Sequence, residues 1–542
     1  MVRVAWIGVV SCTLALACTA EAHETDDDTG GGSTSNDAGT GGSESDTDGT
    51  GSTGDAMLPD PLPPLGSAPS TVDQTIVPTH AIDVDPAFDP RIPGDRQQML
   101  DQGYDAFEVG AGEPVLARTP DGSDPPAPGA APARLTRFVH LADTQLADDE
   151  SPLRVVEIDN PSLSGAFRPQ EDFGCQVVNA AVRTVNAVNA DDPIDFVVLG
   201  GDNIDNAQTN EVQWFLGILD GAPVVNCDSG ADDDPEPGED NDSKDPFAPV
   251  GLDVPWIWVT GNHDALVQGN FTIADRLETA IGDAIGPGGS TRDWTLPGGP
   301  AFEGPVVADP ERALLDGPTL LGLVAASGDG HGLTQQTVDS GHATYGWDVP
   351  GSDLRMVVVN TAAVTGAENG VVTDADVADR IRPLLDQAEA DGKLVIVSTH
   401  HASTSLSDGG GLGGTVQDGA LNPEDWQDLL GEYPNVIAHL AGHSHEHRVA
   451  FIEPLGGGGY WEIKTSAVAD FPNQMRILEV HDQDNGWLTI TTVALDFATE
   501  GDALAQSARG LEIMDLTSGW TKSDAPGTPE DRNVQLWIPA PS

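Results

Sequence analysis

WIWVTGNHD, residues Trp256 to Asp264, joins a short apolar run to a turn that carries an amide, an imidazole and a carboxylate. The run is too brief for an independent helix. Its aromatic and β-branched residues, ended by Gly261, have the profile of a buried strand. The same pattern recurs outward in both directions. Phe138 to Ala142 runs into Asp143-Thr144-Gln145, and Phe196 to Leu199 into Gly201-Asp202-Asn203. Leu394 to Thr399 runs into His400-His401, and Val436 to Ala441 into Gly442-His443-Ser444-His445. Helical periodicity lies between them. Cys175 to Asn189 puts Val178, Ala181, Val182, Val185 and Val188 near one face, and Asp374 to Ala390 does the same with Val377, Ile381, Leu384 and Leu385. Alternating strands and helices predict an α/β layered domain. In such domains functional groups gather beyond the carboxyl ends of strands, so these turns predict one shared site.

Carboxylate, amide and imidazole donors together suit borderline divalent ions such as manganese, iron or zinc, whereas an all-oxygen set suits magnesium or calcium. Gly201, Gly261 and Gly442 fit places where the backbone bends sharply beside a ligand. The His443-x-His445 pair can divide between two ions, since alternate residues point apart.

In order along the chain, these residues resemble the calcineurin-like metallophosphoesterases, whose motifs run D-x-H, G-D, G-N-H-[D/E], H and G-H-x-H. The resemblance spans roughly Leu135 to Asp496. A closer similarity, to a bacterial subgroup with GDNxDNAQxNE followed by Trp and with GNHDxLVQGNF, is carried by Gly201 to Trp214 and Gly261 to Phe271. That subgroup's DRNVxLW, here Asp531 to Trp537, extends it almost to the end. The resemblance implies a metallophosphatase-like sandwich of two mixed β-sheets flanked by helices. It implies one ion held by Asp143, Gln145, Asp202 and His445, and a second held by the bridging Asp202 with Asn262, His400 and His443. His263 would stand beside the metals and supply a proton or hydrogen bond to the departing oxygen. The implied reaction is hydrolysis of a phosphate ester (mono-, di- or pyrophosphate) by a metal-bridging hydroxide. Gln145 departs from the common pattern, which has His. An amide oxygen is a weaker, harder ligand, which loosens the first ion and tilts the preference to manganese over iron or zinc. D-x-Q also occurs in Mn-dependent nucleoside-diphosphate-type members of the superfamily.

Neighbouring polar residues have plainer readings. His401 is read equally as a substrate contact or a structural group. Asp205, His140, His439 and His447 flank the motifs and are expected to be hydrogen-bonded structural groups. Asp264 is expected to orient His263 or its turn.

Arg3, the apolar stretch Val4 to Ala17 and Cys18 after Leu14-Ala15-Leu16-Ala17 read as an export signal that resembles a bacterial lipobox. The expectation is lipid on Cys18 and an outer-membrane or cell-surface location; cleavage near Ala20 or Ala22, giving a soluble periplasmic or secreted protein, is the alternative. Residues 19–57, rich in Gly, Ser, Thr and Asp, are expected to be a tether, with too little apolar surface to fold. Residues 58–133 are a Pro-rich extended lead-in, and residues 134–542 the catalytic domain, with insertions at about 228–247 and 281–341. Of the four cysteines, Cys175 and Cys227 remain for the folded body, either as a disulfide or as buried thiols. The net charge of −65, from 88 acidic and 23 basic residues, repels nucleic acid and anionic membranes. It does not exclude the small phosphate-ester partner that the resemblance implies, because local metal charge can offset the acidic body. Oligomeric state has no sequence signal. Two other readings remain: a catalytically degenerate metal-binding lipoprotein, and a calcium-dependent structural or adhesion lipoprotein that uses the acid-rich 228–245 segment.

Overall fold

The computed structural model describes residues 61–541 except 86, 155, 157–158, 162–164, 231–241, 276–279, 282–283, 288–302 and 329. The signal segment, Cys18 and the tether lie outside the described residues, as does most of the acid-rich insertion.

Two mixed sheets carry the domain. The strands in chain order are β1 (Gln74–Pro78), β2 (Phe107–Ala111), β3 (Leu116–Arg118), β4 (Ala133–Leu141), β5 (Phe196–Leu199), β6 (Trp256–Trp258), β7 (Ala284–Pro287), β8 (Glu303–Val306), β9 (Tyr345–Asp348), β10 (Leu354–Val358), β11 (Leu394–Ser398), β12 (Val436–Ala441), β13 (Arg448–Ile452), β14 (Tyr460–Lys464), β15 (Gln474–Asp482), β16 (Trp487–Asp496) and β17 (Val534–Pro539), of which β1 with β2 and β7 with β8 form separate antiparallel pairs. One sheet has the order β3-β17-β16-β15-β4-β5-β6, and the other β13-β14-β12-β11-β10-β9. Within them β4, β5 and β6 are mutually parallel, as are β10, β11, β12 and β14. Parallel neighbours share their carboxyl ends. The five apolar runs therefore deliver their following turns to one edge of the sandwich.

Both strand faces are buried, so these runs read as continuous apolar stretches without alternation. Phe138, Phe196, Met356, Ile396, Leu440 and Trp461 belong to one core shared by the two sheets. Phe196 of the first sheet meets Trp347 of the second, with ring centroids 4.8 Å apart. The helices expected at 175–189 and 374–390 form as Gly174–Asp191 and as a continuous turn sequence from Asp374 to Ala390, with a π-helical segment at Val377–Ile381.

Two regions hold more structure than their composition suggests. The Pro-rich lead-in contains the antiparallel pair β1–β2 with the helix Pro93–Asp101 between its strands, and its β3 joins the large sheet beside β17. Inside the 281–341 insertion, helices Gly317–Ala326 and Gln335–Ser340 are capped by Asp316 and Thr334, and Leu320, Leu321 and Val324 enter the core. Those caps and that stripe are legible in the sequence, but the surrounding Gly and Pro mask them.

Cys175 and Cys227 form a disulfide across a separation of 52 residues. It ties the start of the helix Gly174–Asp191 to the loop after Thr209–Asp220. Replacing both cysteines by serine should lower the unfolding free energy by about 2–4 kcal/mol, read from urea denaturation, with the folded-state circular dichroism unchanged. An unaltered midpoint would show that the crosslink contributes nothing.

Candidate metal centre

The turns that follow β4, β5, β11 and β12 are tied to one another before any side chain is considered. Asp143 N donates to Gly201 O at 3.0 Å, Gln145 N to Asp202 O at 2.8 Å, and Gly442 N to His400 O at 2.9 Å. Asp143, Gln145, Asp202, His443 and His445 all have left-handed backbone, with φ of 54°, 37°, 50°, 65° and 54°. Left-handed non-glycine residues cost roughly 1–3 kcal/mol each and persist where the surroundings over-determine them, commonly at functional sites. Close approach explains the neighbouring glycines. A Cβ on Gly261 would lie 2.1 Å from Asp202 Oδ1, and one on Gly442 would lie 2.4 Å from Asp143 Oδ2.

Asp143, Asp202 and His400 are buried and offer ligand atoms within 4.8 Å of one another. His400 Nδ1 faces Gly200 O at 3.0 Å, which turns Nε2 to 2.9 Å from Asp202 Oδ2 and 3.9 Å from Asp143 Oδ1. His445 Nε2 lies 3.4 Å from Asp143 Oδ1, and His443 N donates to both Asp143 oxygens at 3.1 Å. Burial opposes charge on His400, yet the Asp202 carboxylate outweighs it and raises the imidazole to about 9. Burial likewise opposes charge on His445, but hydrogen bonds to Asp143 and Asp470 carry it to about 9. His443 is held well below the usual imidazole range by burial and by His401 and His400 beside it. Burial also works against the Asp202 carboxylate, but the surrounding imidazoles hold it below the ordinary range.

The amides supply the sharpest test of whether a cation fits. Gln145 Oε1 and Asn262 Oδ1 are buried with no hydrogen-bond partner among the described residues. Asn262 Nδ2 donates to Gly269 O at 3.1 Å, which fixes the amide so that Oδ1 turns away from that bond. A buried carbonyl oxygen left bare costs about 1–3 kcal/mol, and both of these belong to the ligand-bearing turns. A divalent ion satisfies such an oxygen and also displaces the protons on the imidazoles.

Around this cluster the structure separates bystanders from participants. His401 has both ring nitrogens occupied, Nδ1 by Thr361 Oγ1 at 2.8 Å and Nε2 by Glu368 O at 2.8 Å. Although His400, His401 and His443 offer ring nitrogens within 4.8 Å of one another, these bonds favour the structural reading of His401. His140 pairs with Thr465, His439 with Thr399 and Glu462, and His447 with Gln474, Ser466 and Arg476. Asp264 accepts from the backbone of Asn203, Ile204 and Gly261 and so shapes the turn.

Asp205 is a bonded structural group as its position suggested, and the structure adds that it stands against His263. Its Oδ1 lies 2.9 Å from His263 Nδ1, and its other oxygen meets Arg154 and Gln268. Burial opposes ionisation of Asp205, but His263 and Arg154 outweigh it and hold the carboxyl at about 2. The pair fixes the His263 ring and leaves Nε2 without a protein partner among the described residues. A second carboxylate had no sequence signal at all: Asp470 Oδ2 lies 2.5 Å from His445 Nδ1 while Oδ1 accepts from Arg168 Nε at 2.7 Å. Outer partners of ligand histidines set tautomer and basicity. Asp470→Asn should therefore weaken metal retention about 10–100-fold while the fold persists, measured by titration of the stripped protein. Undiminished affinity would reduce Asp470 to packing.

A cavity of about 490 Å³ opens over the cluster, lined by Gln145, Asp202, Asn262, His263, His443 and His445 on its floor and by Phe167, Arg168, Phe271, Leu412, Trp520 and Lys522 around them. Acidic, imidazole and amide donors converging beneath an open cavity are the chemistry of a metal-dependent hydrolase. The sequence profile of the calcineurin-like phosphoesterases matches residues 136–447, more than half of the chain, and the protein belongs to that family. Among solved structures it is similar to a purple acid phosphatase from yellow lupin (Lupinus luteus) seeds, at 12% identity and a TM-score of 0.30, over 72% of this chain and 54% of that one. It is also similar to the sulfate thiohydrolase SoxB of Thermus thermophilus in complex with glycerol, at 11% identity and a TM-score of 0.31, over 72% of this chain and 61% of that one. The chain thus spans less than two thirds of either structure. No curated protein sequence matches it significantly.

Proposed function

We propose that this protein hydrolyses small phosphate esters at a dinuclear site, with Asp143, Gln145, Asp202 and His445 holding one divalent ion and Asp202, Asn262, His400 and His443 the other. The observation that carries this reading is the pair of bare, buried amide oxygens, Gln145 Oε1 and Asn262 Oδ1, each in a turn beside Asp202. When bound, the two ions supply a nucleophile at neutral pH and neutralise charge on the phosphoryl oxygens. The chain's own residues do the rest. Asp143 and Asp202 set the spacing, Asp470 and Gly200 O orient His445 and His400, and the Asp205–His263 pair presents Nε2 to the departing oxygen. With an amide oxygen in the place of the commoner imidazole, manganese is the preferred metal.

The deciding experiment is metal analysis after dialysis, followed by a screen of chromogenic mono- and diesters with and without added manganese. About two transition-metal ions per chain and manganese-stimulated turnover lost on chelation are expected. Calcium alone with no turnover would establish the structural or adhesive reading, and transition metals without turnover the degenerate one. Membership of the bacterial subgroup, and export with lipid on Cys18, form part of the same proposal. The Cys175–Cys227 disulfide supports an oxidising compartment. Among the described residues no helix is long and apolar enough to cross a membrane.

A further inference from the structure

The segment after the helix Ala503–Thr517 lies outside the 136–447 family match, yet it closes one wall of the cavity. It is clamped there at several points. Trp520 N donates to Asp515 O, Thr521 Oγ1 bonds Asp515 Oδ2, His447 N donates to Ala525 O at 2.9 Å, and Arg448 reaches Asp524 at 3.0 Å. The Trp520 ring, mostly buried, carries Arg91 over it at 5.3 Å. Lys522 projects from this fixed turn. Its Nζ donates to Ser444 O at 3.3 Å, on the residue between His443 and His445.

That ammonium is unusual in this chain. Among the described residues the cations with exposed side chains include Arg134, Arg380, Arg382 and Lys522, and Arg380 and Arg382 pair with Asp376 at 2.7 Å and Glu432 at 2.6 Å. Arg134 pairs with Asp192 at 2.8 Å, whereas no described carboxylate pairs with Lys522. Arg168, the other cation lining the cavity, is committed to Asp470. A carbonyl oxygen engages one of the three donors of an ammonium and none of its charge. In a protein of net charge −65, the one residue among those described that is an exposed cation without a carboxylate thus lines the candidate active site.

We propose that Lys522 is a specificity-determining residue that receives the phosphate charge of the substrate, pairing its free ammonium donors with non-bridging phosphoryl oxygens in the cavity. This rests on the hydrolase reading and adds to it how an acidic protein admits an anion. A point-charge donor on a flexible stem suits phosphate, and charge-assisted bonds of this kind are among the stronger ones. Glu368, exposed and lining the same cavity, makes such a receptor more necessary. Because its own partner is only a carbonyl, Lys522 can swing from Ser444 to an incoming anion without leaving a buried charge behind.

The test uses the manganese-loaded full chain and inorganic phosphate as probe, by calorimetric titration of wild type, Lys522→Met and Lys522→Arg, alongside steady-state hydrolysis of p-nitrophenyl phosphate. The Met variant should bind phosphate roughly tenfold more weakly and show a comparable rise in KM with little change in kcat. The Arg variant should recover most of the affinity, and the salt dependence of binding should flatten in the Met variant. Thermal unfolding of all three should coincide, since the side chain is exposed. Equal phosphate affinity in wild type and Lys522→Met would overturn the proposal. So would a wild-type protein that binds no phosphate at millimolar concentration. Phosphate binding that depends on Lys522 in a protein that turns over no ester would leave the proposal standing and remove the hydrolase reading, so the two failures are distinct.

Discussion

Asp202→Asn is expected to fold as the wild type does, to lose most of its bound metal, and to hydrolyse phosphate esters at least about a thousandfold more slowly, a loss of ~4 kcal/mol of transition-state stabilisation. Folding should survive because Asn tolerates the left-handed backbone that Asp202 adopts at φ 50°. Its side-chain oxygen can still accept from His263 N, now at 2.8 Å. What the change removes is charge. Asp202 is the carboxylate that outweighs burial to raise His400, and it lies against Gly261 so closely that a Cβ there would meet its Oδ1. In the assignment above it is the only residue shared by both ions, so its neutralisation weakens both. Metal content by elemental analysis and turnover of a chromogenic ester check the prediction together. Wild-type metal content with wild-type turnover would remove Asp202 from the site.

His263→Gln is expected to retain two ions per chain and to lose about 10²–10⁴-fold in kcat. The ring is not in the assigned ligand set. Its Nδ1 bonds the Asp205 backbone O at 3.0 Å and lies 2.9 Å from Asp205 Oδ1, which leaves Nε2 to serve the departing oxygen. Burial opposes its protonation, and Asp202 and Asp205 overcome that and shift it upward from the ordinary imidazole range. The size of the loss should depend on the ester. A p-nitrophenolate departs without a proton, so its hydrolysis should suffer least, whereas an alkyl phosphate needs the proton and should suffer most. Asp205→Asn should show the same dependence with a smaller loss, since it only positions the ring. A uniform loss across leaving groups, or loss of metal, would move His263 from proton donor to scaffold.

The different visibility of these two residues in the sequence has a physical basis. His263 stands inside a run of apolar residues, glycine and metal-ligand types, where local pattern and strand length both speak. Asp205 also stands in a motif, the stretch Gly201 to Gln208, but the motif does not say what it bonds. Its partner is 58 positions away, and its significance comes from the convergence of β5 and β6, which no window of sequence contains. Asp470 is more extreme, since one of its partners is Arg168, separated by 302 residues. His401 shows the converse. Its position beside His400 left two readings equal, and only the bonds to Thr361 and Glu368 favour the structural one.

By itself the sequence determined the five apolar runs, their alternation with helices and the donors at their ends. Strand length, side-chain periodicity and turn chemistry are local properties, and a buried parallel strand writes them into consecutive residues. Tertiary structure alone decided which carboxylates support those donors, that Cys175 and Cys227 join, that the lead-in supplies an edge strand, and that Lys522 lines the cavity. Each of these is a meeting of residues far apart in the chain, fixed by packing and burial and not by the pattern around any one of them.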